Sequence, residues 1–185
     1  MISQGFCLFL FLHPAIILFM SEFTPDFYKS IKDELFNDIL PYWQKNACDT
    51  RAGLEGFFGA INNENVPDSE IQRSIVMTSR FLWTYSTVAR LTKNAEYLKM
   101  ADFAYNVITT KYWDKKNGGV YWSVMPDGKP KVDKKQIYGE AFCCYGLCEY
   151  AAAVKELKKG RESLPLASEP AVSHGSTTGS SATPS

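Results

Sequence analysis

One arrangement of residues occurs twice along this chain and limits what it can fold into. A helix-periodic stretch leads into a turn rich in glycine and aromatic residues, and a second helix-periodic stretch follows, over residues 26–91 and again over 94–157. Gly56-Phe57-Phe58 in the first occurrence answers to Gly119-Val120-Tyr121 in the second, and Tyr85 answers to Tyr145 at a closely similar offset. A long period built from helix pairs marks a helical toroid or solenoid, in which no unit covers its own apolar face and each relies on its neighbours.

The first stretch, 24–46, carries Phe27, Ile31, Leu35, Ile39 and Trp43 at every fourth position, widened by Phe36 and Leu40, which predicts an amphipathic helix. Thr24 or Asp26 is the expected cap, and Pro41 the expected kink or end near Leu40. Residues 51–68 follow, where Gly53, Gly56 and Gly59 bracket a short aromatic run and predict a tight hairpin or turn. A second helix is expected over about 69–91, burying Ile71, Ile75, Leu82, Tyr85 and Ala89. A third is expected from a cap at Asn94 through Tyr112, with Tyr97, Ala101, Ala104 and Ile108 on one stripe. Residues 117–130 read as a β-hairpin turning at Pro126-Asp127-Gly128, and a fourth helix as about 135–157. The second and fourth helices are apolar nearly all round, as inner helices are, while the first and third carry more charge. The expected fold class is all-α: an α/α toroid with short Gly-aromatic β-hairpins between helices. Two units cannot close such a ring.

Both ends differ in composition from this repeat. Residues 1–20 are almost wholly apolar from Phe6 onward, broken by His13-Pro14, with no basic residue before Lys29 and no small-residue cleavage pattern. They read as an extension upstream of a natural start at Met20, the alternative being an atypical signal, and no stable membrane span is expected. Residues 159–185 shift to Ser, Thr, Pro, Gly and Ala, a low-complexity tail with too little apolar surface to offset ordering. The foldable portion is therefore 21–158. Across all 185 residues, 20 Lys+Arg balance 20 Asp+Glu, and without a basic run this argues against a nucleic-acid partner. The 2 His, His13 and His174, leave no His-rich metal centre, and no metal or cofactor is called for. The 5 Cys, without C-x-x-C pairs, read as reduced thiols of a cytoplasmic protein, or of a secreted one if residues 1–20 act as a signal.

Five stretches together carry a resemblance: ILPYWQKN (39–46), GLEGFFGAI (53–61), TSRFLWTYS (78–86), NGGVYWSVMPDGKP (117–130) and KKQIYGEAFCCYGLCEY (134–150). In this order and spacing the chain resembles the N-acylglucosamine 2-epimerase family, most closely its cellobiose 2-epimerase branch. The resemblance implies the N-terminal part of an (α/α)6 barrel about twice as long. It also implies a cofactor-free isomerase acting on a mono- or disaccharide: ring opening, removal of the C2 proton beside the carbonyl, an enediolate, and reprotonation on the other face. The family's two catalytic His residues fall beyond Lys158, and neither His13 nor His174 lies in a family motif. A chain of this extent is therefore expected to be an inactive fragment.

Residue by residue, the resemblance assigns Arg80, in the family's S-R-x-L-W motif, to the catalytic site near the C1 and C2 oxygens, where a planar fork of donors suits an oxyanion. The residues alone also allow a structural ion pair there. Tyr121 and Trp122 match an aromatic pair near the sugar pocket, with plain hairpin packing as the structural reading. Phe58 stands where the family's usual F-Y pair has its tyrosine, and the hydroxyl is missing. Tyr138 and Glu140 either line the pocket or pair within their helix. Cys143, Cys144 and Cys148 read as small apolar packing rather than nucleophiles. Two other readings remain: a non-catalytic toroid that binds carbohydrate or a protein partner, and a glycoside hydrolase, which needs paired carboxylates where only Glu140 and Glu149 are on offer. Exposed ring helices would favour self-association.

Overall fold

Thr24 caps the first helix, its hydroxyl accepting the amide of Phe27 at 3.3 Å. The computed structural model describes residues 24–162, and side-chain surroundings through residue 157. Helix α1 runs as Pro25–Glu34, a π-type turn Leu35–Ile39 and a second α segment Leu40–Asn46. Pro41 therefore does not end it. A proline clashes with the carbonyl four residues back and lacks an amide. Here the ladder widens just ahead of it, with the Leu40 amide reaching back to Leu35, and the helix continues.

Helix α2 spans Ile75–Thr92. Helix α3 is Ala95–Val107 followed by a π turn Ile108–Tyr112, and Asn94 caps it by accepting the Glu96 amide at 2.9 Å. Helix α4 is Ile137–Glu162. Short antiparallel ladders join them: β1 (Cys48–Asp49) with β2 (Gly56–Phe57), and β3 (Ala60–Ile61) with β4 (Pro67–Asp68). β5 (Arg73–Ser74), β6 (Ser123–Val124) and β7 (Pro130–Val132) form one three-stranded sheet in that order. The second helix begins at Ile75 rather than at Ser69 because the residues before it are engaged elsewhere. Asp68 Oδ1 accepts the amides of Glu70 and Ile71 at 3.0 and 3.2 Å, which turns the chain. Arg73 and Ser74 then pair with Val124 and Ser123, and Ser74 caps α2 through the Val76 amide at 3.2 Å. Ile71, expected in the core, is consequently exposed.

Helix α2 packs along α3 and α4. Its Ile75, Leu82, Tyr85 and Ala89 are buried together with Ala101, Ala104 and Ile108 of α3. Each large apolar side chain so buried stabilises by about 1.5–3 kcal/mol. Two glycines let α4 close on α2: a Cβ at Gly146 would lie 2.8 Å from the Ser79 carbonyl, and one at Gly139 3.0 Å from Ile75. Helix α4 is nevertheless covered on one side only. Cys143 and Ala153 face inward, while Ile137 (85% exposed), Tyr138, Cys144, Tyr145 and Cys148 keep much of their surface open, even where Tyr145 meets Trp83 and Tyr138 meets Trp122. The three thiols thus do not form one buried patch as expected. Helix α4 also runs past Lys158 to Glu162, into the segment read as a tail. The remainder of that tail, 163–185, and the apolar stretch 1–20 lie outside the described residues. Among the described residues no helix is long and apolar enough to cross a membrane.

Each Gly-aromatic turn is tied down by a carboxylate and a cation. Asp49, 1% exposed, accepts from Arg51 Nε at 2.9 Å and Nη2 at 2.7 Å, and from the Nη2 of buried Arg73. Arg73 Nη1 also donates to the Leu54 carbonyl at 2.5 Å. In the second turn Asp114 accepts from Lys135 Nζ at 2.6 Å and from the amides of Lys116 and Asn117 at 2.9 and 3.0 Å. Each cation also meets a ring: Arg73 lies 5.9 Å from the centroid of Phe58, and Lys135 Nζ 6.0 Å from that of Tyr121. Each carboxylate directly follows an equivalent bridge, Cys48–Phe57 in one unit and Trp113–Val120 in the other. Gly56 is needed because a Cβ there would lie 2.6 Å from Arg73 Nη1. Lys111 ties the first turn to the β6–β7 turn, donating to the carbonyls of Gly53 at 3.1 Å and Pro126 at 2.9 Å. Aligning the two clamps sets Arg73 against Lys135, and this register pairs Tyr85 with Leu147 rather than with Tyr145. Tyr145 instead answers to Trp83, on which it stacks at 5.1 Å.

Hydrogen bonds from Arg51 first, and from Arg73, hold the Asp49 carboxyl at about 2 against burial, which opposes them. A value depressed below the unfolded ~3.9 stabilises the fold above that pH, and the contribution is lost as pH falls towards 2. Removing one partner of a buried pair strands the other, at a cost of roughly 3–5 kcal/mol. Asp49→Asn is therefore expected to lower the unfolding free energy by about 3 kcal/mol near neutrality, and to flatten the loss of stability between about pH 4 and 2, as read from urea titrations across that range.

Candidate functional site

Arg80 lies on α2 two turns beyond the clamped Arg73. Its guanidinium carbon sits 4.8 Å from the ring centroid of Phe142 on α4. On the other side Arg80 lines a pocket of about 250 Å³ with Ile39, Trp43, Met77, Phe81 and Thr84. No described carboxylate or hydrogen-bond acceptor engages it. The structural ion pair that the residue type alone allows is therefore not formed among the described residues, and the donor fork remains available at an exposed position.

Phe142 continues into an aromatic row. The ring of Tyr138, one turn earlier on α4, is 4.9 Å from Phe142, and that of Trp122 is 6.5 Å from Tyr138. Gly139 makes room for the indole, since a Cβ there would lie 3.2 Å from Trp122. The Trp122 carbonyl accepts the Ile75 amide at 3.2 Å, so the residue that carries the indole, just ahead of β6, also holds the first residue of α2. Three of the five residues named from the sequence, Arg80, Tyr138 and Trp122, thus share one row. Phe142, which sequence reasoning passed over, is the link between them. Its signal was present: it follows Tyr138 by one helical turn and is Arg80's counterpart in the register that sets Arg73 against Lys135.

Tyr121 and Phe58 lie elsewhere. Successive side chains of an extended segment point to opposite sides. Tyr121 accordingly turns from Trp122 towards Lys135, lining a pocket of about 460 Å³ with Asp114, Asn117 and Asp133. The two residues expected as an aromatic pair do not form a common wall. Phe58 lies over Arg73, while its neighbour Phe57 is buried and stacked on Phe81 at 4.1 Å.

Glu140 lines a separate groove on the outer side of α4, and Glu149 is held by Arg90 Nε at 2.6 Å. The carboxylate pair that glycoside hydrolysis requires is not assembled among the described residues. Burial pushes the thiols of Cys48 and Cys143 up to about 11, and a hydrogen bond with Cys144 raises that of Cys148. None of these three is an activated nucleophile. No group of His, Cys, Asp and Glu among the described residues has the proximity to hold a metal ion.

The sequence pattern of the family described as N-acylglucosamine 2-epimerase (GlcNAc 2-epimerase) matches residues 56–167. The chain is 34% identical over 145 residues to the cellobiose 2-epimerase of Dictyoglomus turgidum, covering 76% of this chain and 36% of that protein. It is 37% identical over 125 residues to the cellobiose 2-epimerase of Bacteroides fragilis, covering 68% and 31% respectively. Among solved structures, cellobiose 2-epimerase from Bacillus thermoamylovorans aligns with a TM-score of 0.64 at 30% identity, over 75% of this chain and 37% of that one. A sugar epimerase from a ruminal bacterium aligns with a TM-score of 0.62 at 31% identity, over 71% and 35%. The mostly helical fold with small sheets is the one found in those structures. The chain spans about a third of the length of the curated relatives it matches.

An exposed cation over a ring contributes about 0.5–1 kcal/mol to stability. Arg80→Met is accordingly expected to change the unfolding free energy by no more than about 1 kcal/mol in a denaturant titration. A loss of several kcal/mol would show that Arg80 supports the fold rather than a ligand.

Proposed function

The chain belongs to the N-acylglucosamine 2-epimerase family, and from that premise we propose that the row Arg80–Phe142–Tyr138–Trp122 is one wall of the carbohydrate site of a C2 epimerase. In this reading the two units are part of an α/α ring and the substrate is a reducing-end aldose, with cellobiose-like disaccharides as the first choice from the named relatives. The observation that carries the reading is an arginine fork at the end of an aromatic row, engaged by no described carboxylate.

After ring opening, a base takes the C2 proton beside the carbonyl, negative charge moves onto the C1 oxygen, and a proton returned to the other face inverts C2. Stabilising that developing charge is the largest single lever on such a step. Arg80 is the group assigned to it, since its fork matches two adjacent oxygens. Trp122, Tyr138 and Phe142 offer faces for a pyranose ring, and the indole N–H and phenol add polar handles. Tyr121 and Phe58 belong in this account to the turn clamps. The chain's two His are His13 and His174, so residues 24–162 hold no histidine, and the acid–base pair is assigned to groups outside that span. The steps move protons and need no redox carrier.

The test is exchange and inversion at C2 of cellobiose in D2O, followed by NMR. A chain extended to the length of the relatives is expected to exchange the C2 proton, and the 185-residue chain to leave it in place. Arg80→Lys in the extended chain should lose about 10²–10³ in turnover, as expected for an oxyanion donor, with the thermal midpoint retained. Undiminished turnover in that variant would remove Arg80 from the reaction. Absence of exchange in the extended chain would sink the epimerase reading.

A further inference from the structure

Residues 24–157 contain four arginines, and carboxylates hold three of them. Arg51 and Arg73 donate to Asp49, and Arg90 Nε donates to Glu149 at 2.6 Å. Arg80 is the fourth. No described acceptor engages it, and its guanidinium carbon lies over the Phe142 ring, 4.8 Å from the centroid.

Arg73 shows what the difference means. It too lies over a ring, at 5.9 Å, but the Leu54 carbonyl takes its Nη1 and Asp49 its Nη2, inside the core. A carboxylate partner fills the donor fork and offsets its charge. A ring face attracts the cation without an oxygen lone pair to fill the fork, so charge and N–H donors stay available to a ligand.

The ring is itself fixed. Phe142 is half-buried and lies between the two glycines that bring α4 onto α2. A Cβ at Gly146, one turn later, would stand 2.8 Å from the carbonyl of Ser79, the residue before Arg80. One at Gly139, a turn earlier, would stand 3.0 Å from Ile75. So close a crossing fixes the height of the ring over α2, and Tyr138 packs against it from the same helix at 4.9 Å. Arg80 is an exposed, rotamer-rich side chain, and ordering it costs conformational entropy. A contact that orders it before the sugar binds takes that cost out of the reacting step.

We propose that Phe142 is a positioning residue for the epimerisation: its ring holds the Arg80 guanidinium in place while leaving the N–H donors for the sugar oxygens on which charge develops. The proposal rests on the carbohydrate-site reading of Arg80 given above and adds a group that acts on the reaction through Arg80.

Mono-, di- and trifluorinated phenylalanine at position 142 of the extended chain separate attraction from packing, because fluorine withdraws electron density from the ring face with little change in its size. Turnover (kcat) for C2 inversion of cellobiose should fall stepwise, to about tenfold below wild type with the trifluorinated ring, with KM and the thermal midpoint retained. Phe142→Leu should lose at least as much, and Phe142→Tyr, which keeps an electron-rich face, should recover most of that loss. Constant kcat across the series, where Arg80→Lys does lose turnover, overturns the inference and leaves the epimerase reading standing. A series that raises KM alone makes Phe142 a sugar contact and likewise overturns it. The contact is also read without sugar, by NMR of the 185-residue chain. Ring currents should hold the Arg80 δ-protons upfield, and Phe142→Leu should release them; Phe142→Met replaces it if the former fails to fold. Protons that neither variant moves overturn the inference whatever the turnover. Protons that move, in a protein whose extended chain shows no C2 exchange, mark the failure of the epimerase reading, and the inference falls with it.

Discussion

Asp49 and Arg73 meet where neither is open to solvent, and the first unit of the structure is organised from that contact. A buried ion pair is weak evidence of net stability, because desolvating both charges offsets much of their attraction. Its value lies in allowing few alternatives. Arg73 must reach Asp49 and the Leu54 carbonyl, which presses it against Gly56 and draws it into the ladder with Val124. Ser74 then follows as the cap of α2, and Ile75 donates to the Trp122 carbonyl. The start of α2 and the height of Trp122 are set by one pair of charges. Arg80 lies two turns further along the same helix.

The same logic returns in the second unit with Asp114 and Lys135, and the two differ instructively. Arg73 is almost fully buried and has three kinds of partner, whereas Lys135 is partly exposed and lies at the rim of an open pocket. The first clamp is enclosed by α1, α2 and α3 around a shared core. The second stands at an edge, where α4 presents Ile137, Tyr138 and Tyr145 to solvent. Among the described residues no helix covers the outer groove of α4, and several of its lining side chains stand partly open there. The aromatic row next to Arg80 arises on the crossing of α2 and α4, where Gly139 and Gly146 bring the helices together.

Much of the fold is legible in the residues because its signals are local. Thr24 and Asn94 are caps by side-chain chemistry alone, the stripe Ala101–Ala104–Ile108 follows from helical period, and Pro126-Asp127-Gly128 turns as its residue types require. The misread features depend on distant partners. Residues 69–74 look helical until Asp49 and Val124 claim Arg73. Pro41 reads as a kink or an end, and the π turn before it lets the helix continue. Tyr121 and Trp122 look like a pair until the alternation of an extended segment sends one to Lys135 and the other to Tyr138. Family motifs directed attention to Arg80, but not to Phe142, whose part depends on the crossing of α2 with α4.

By itself, then, the sequence determined a repeated unit of two helices and a Gly-aromatic turn, a family, and an arginine placed within a recurrent motif. These are properties of period, cap and turn, each decided within a few residues. Tertiary structure alone decided that Arg80 finds a ring and no carboxylate among the described residues, that Trp122, Tyr138 and Phe142 form its row, and that no described helix covers one face of α4. Those outcomes turn on which side chains from separate units come within a few ångströms. The Asp49–Arg73 contact fixes where α2 starts, and the close crossing of α2 and α4 at Gly139 and Gly146 brings the row together.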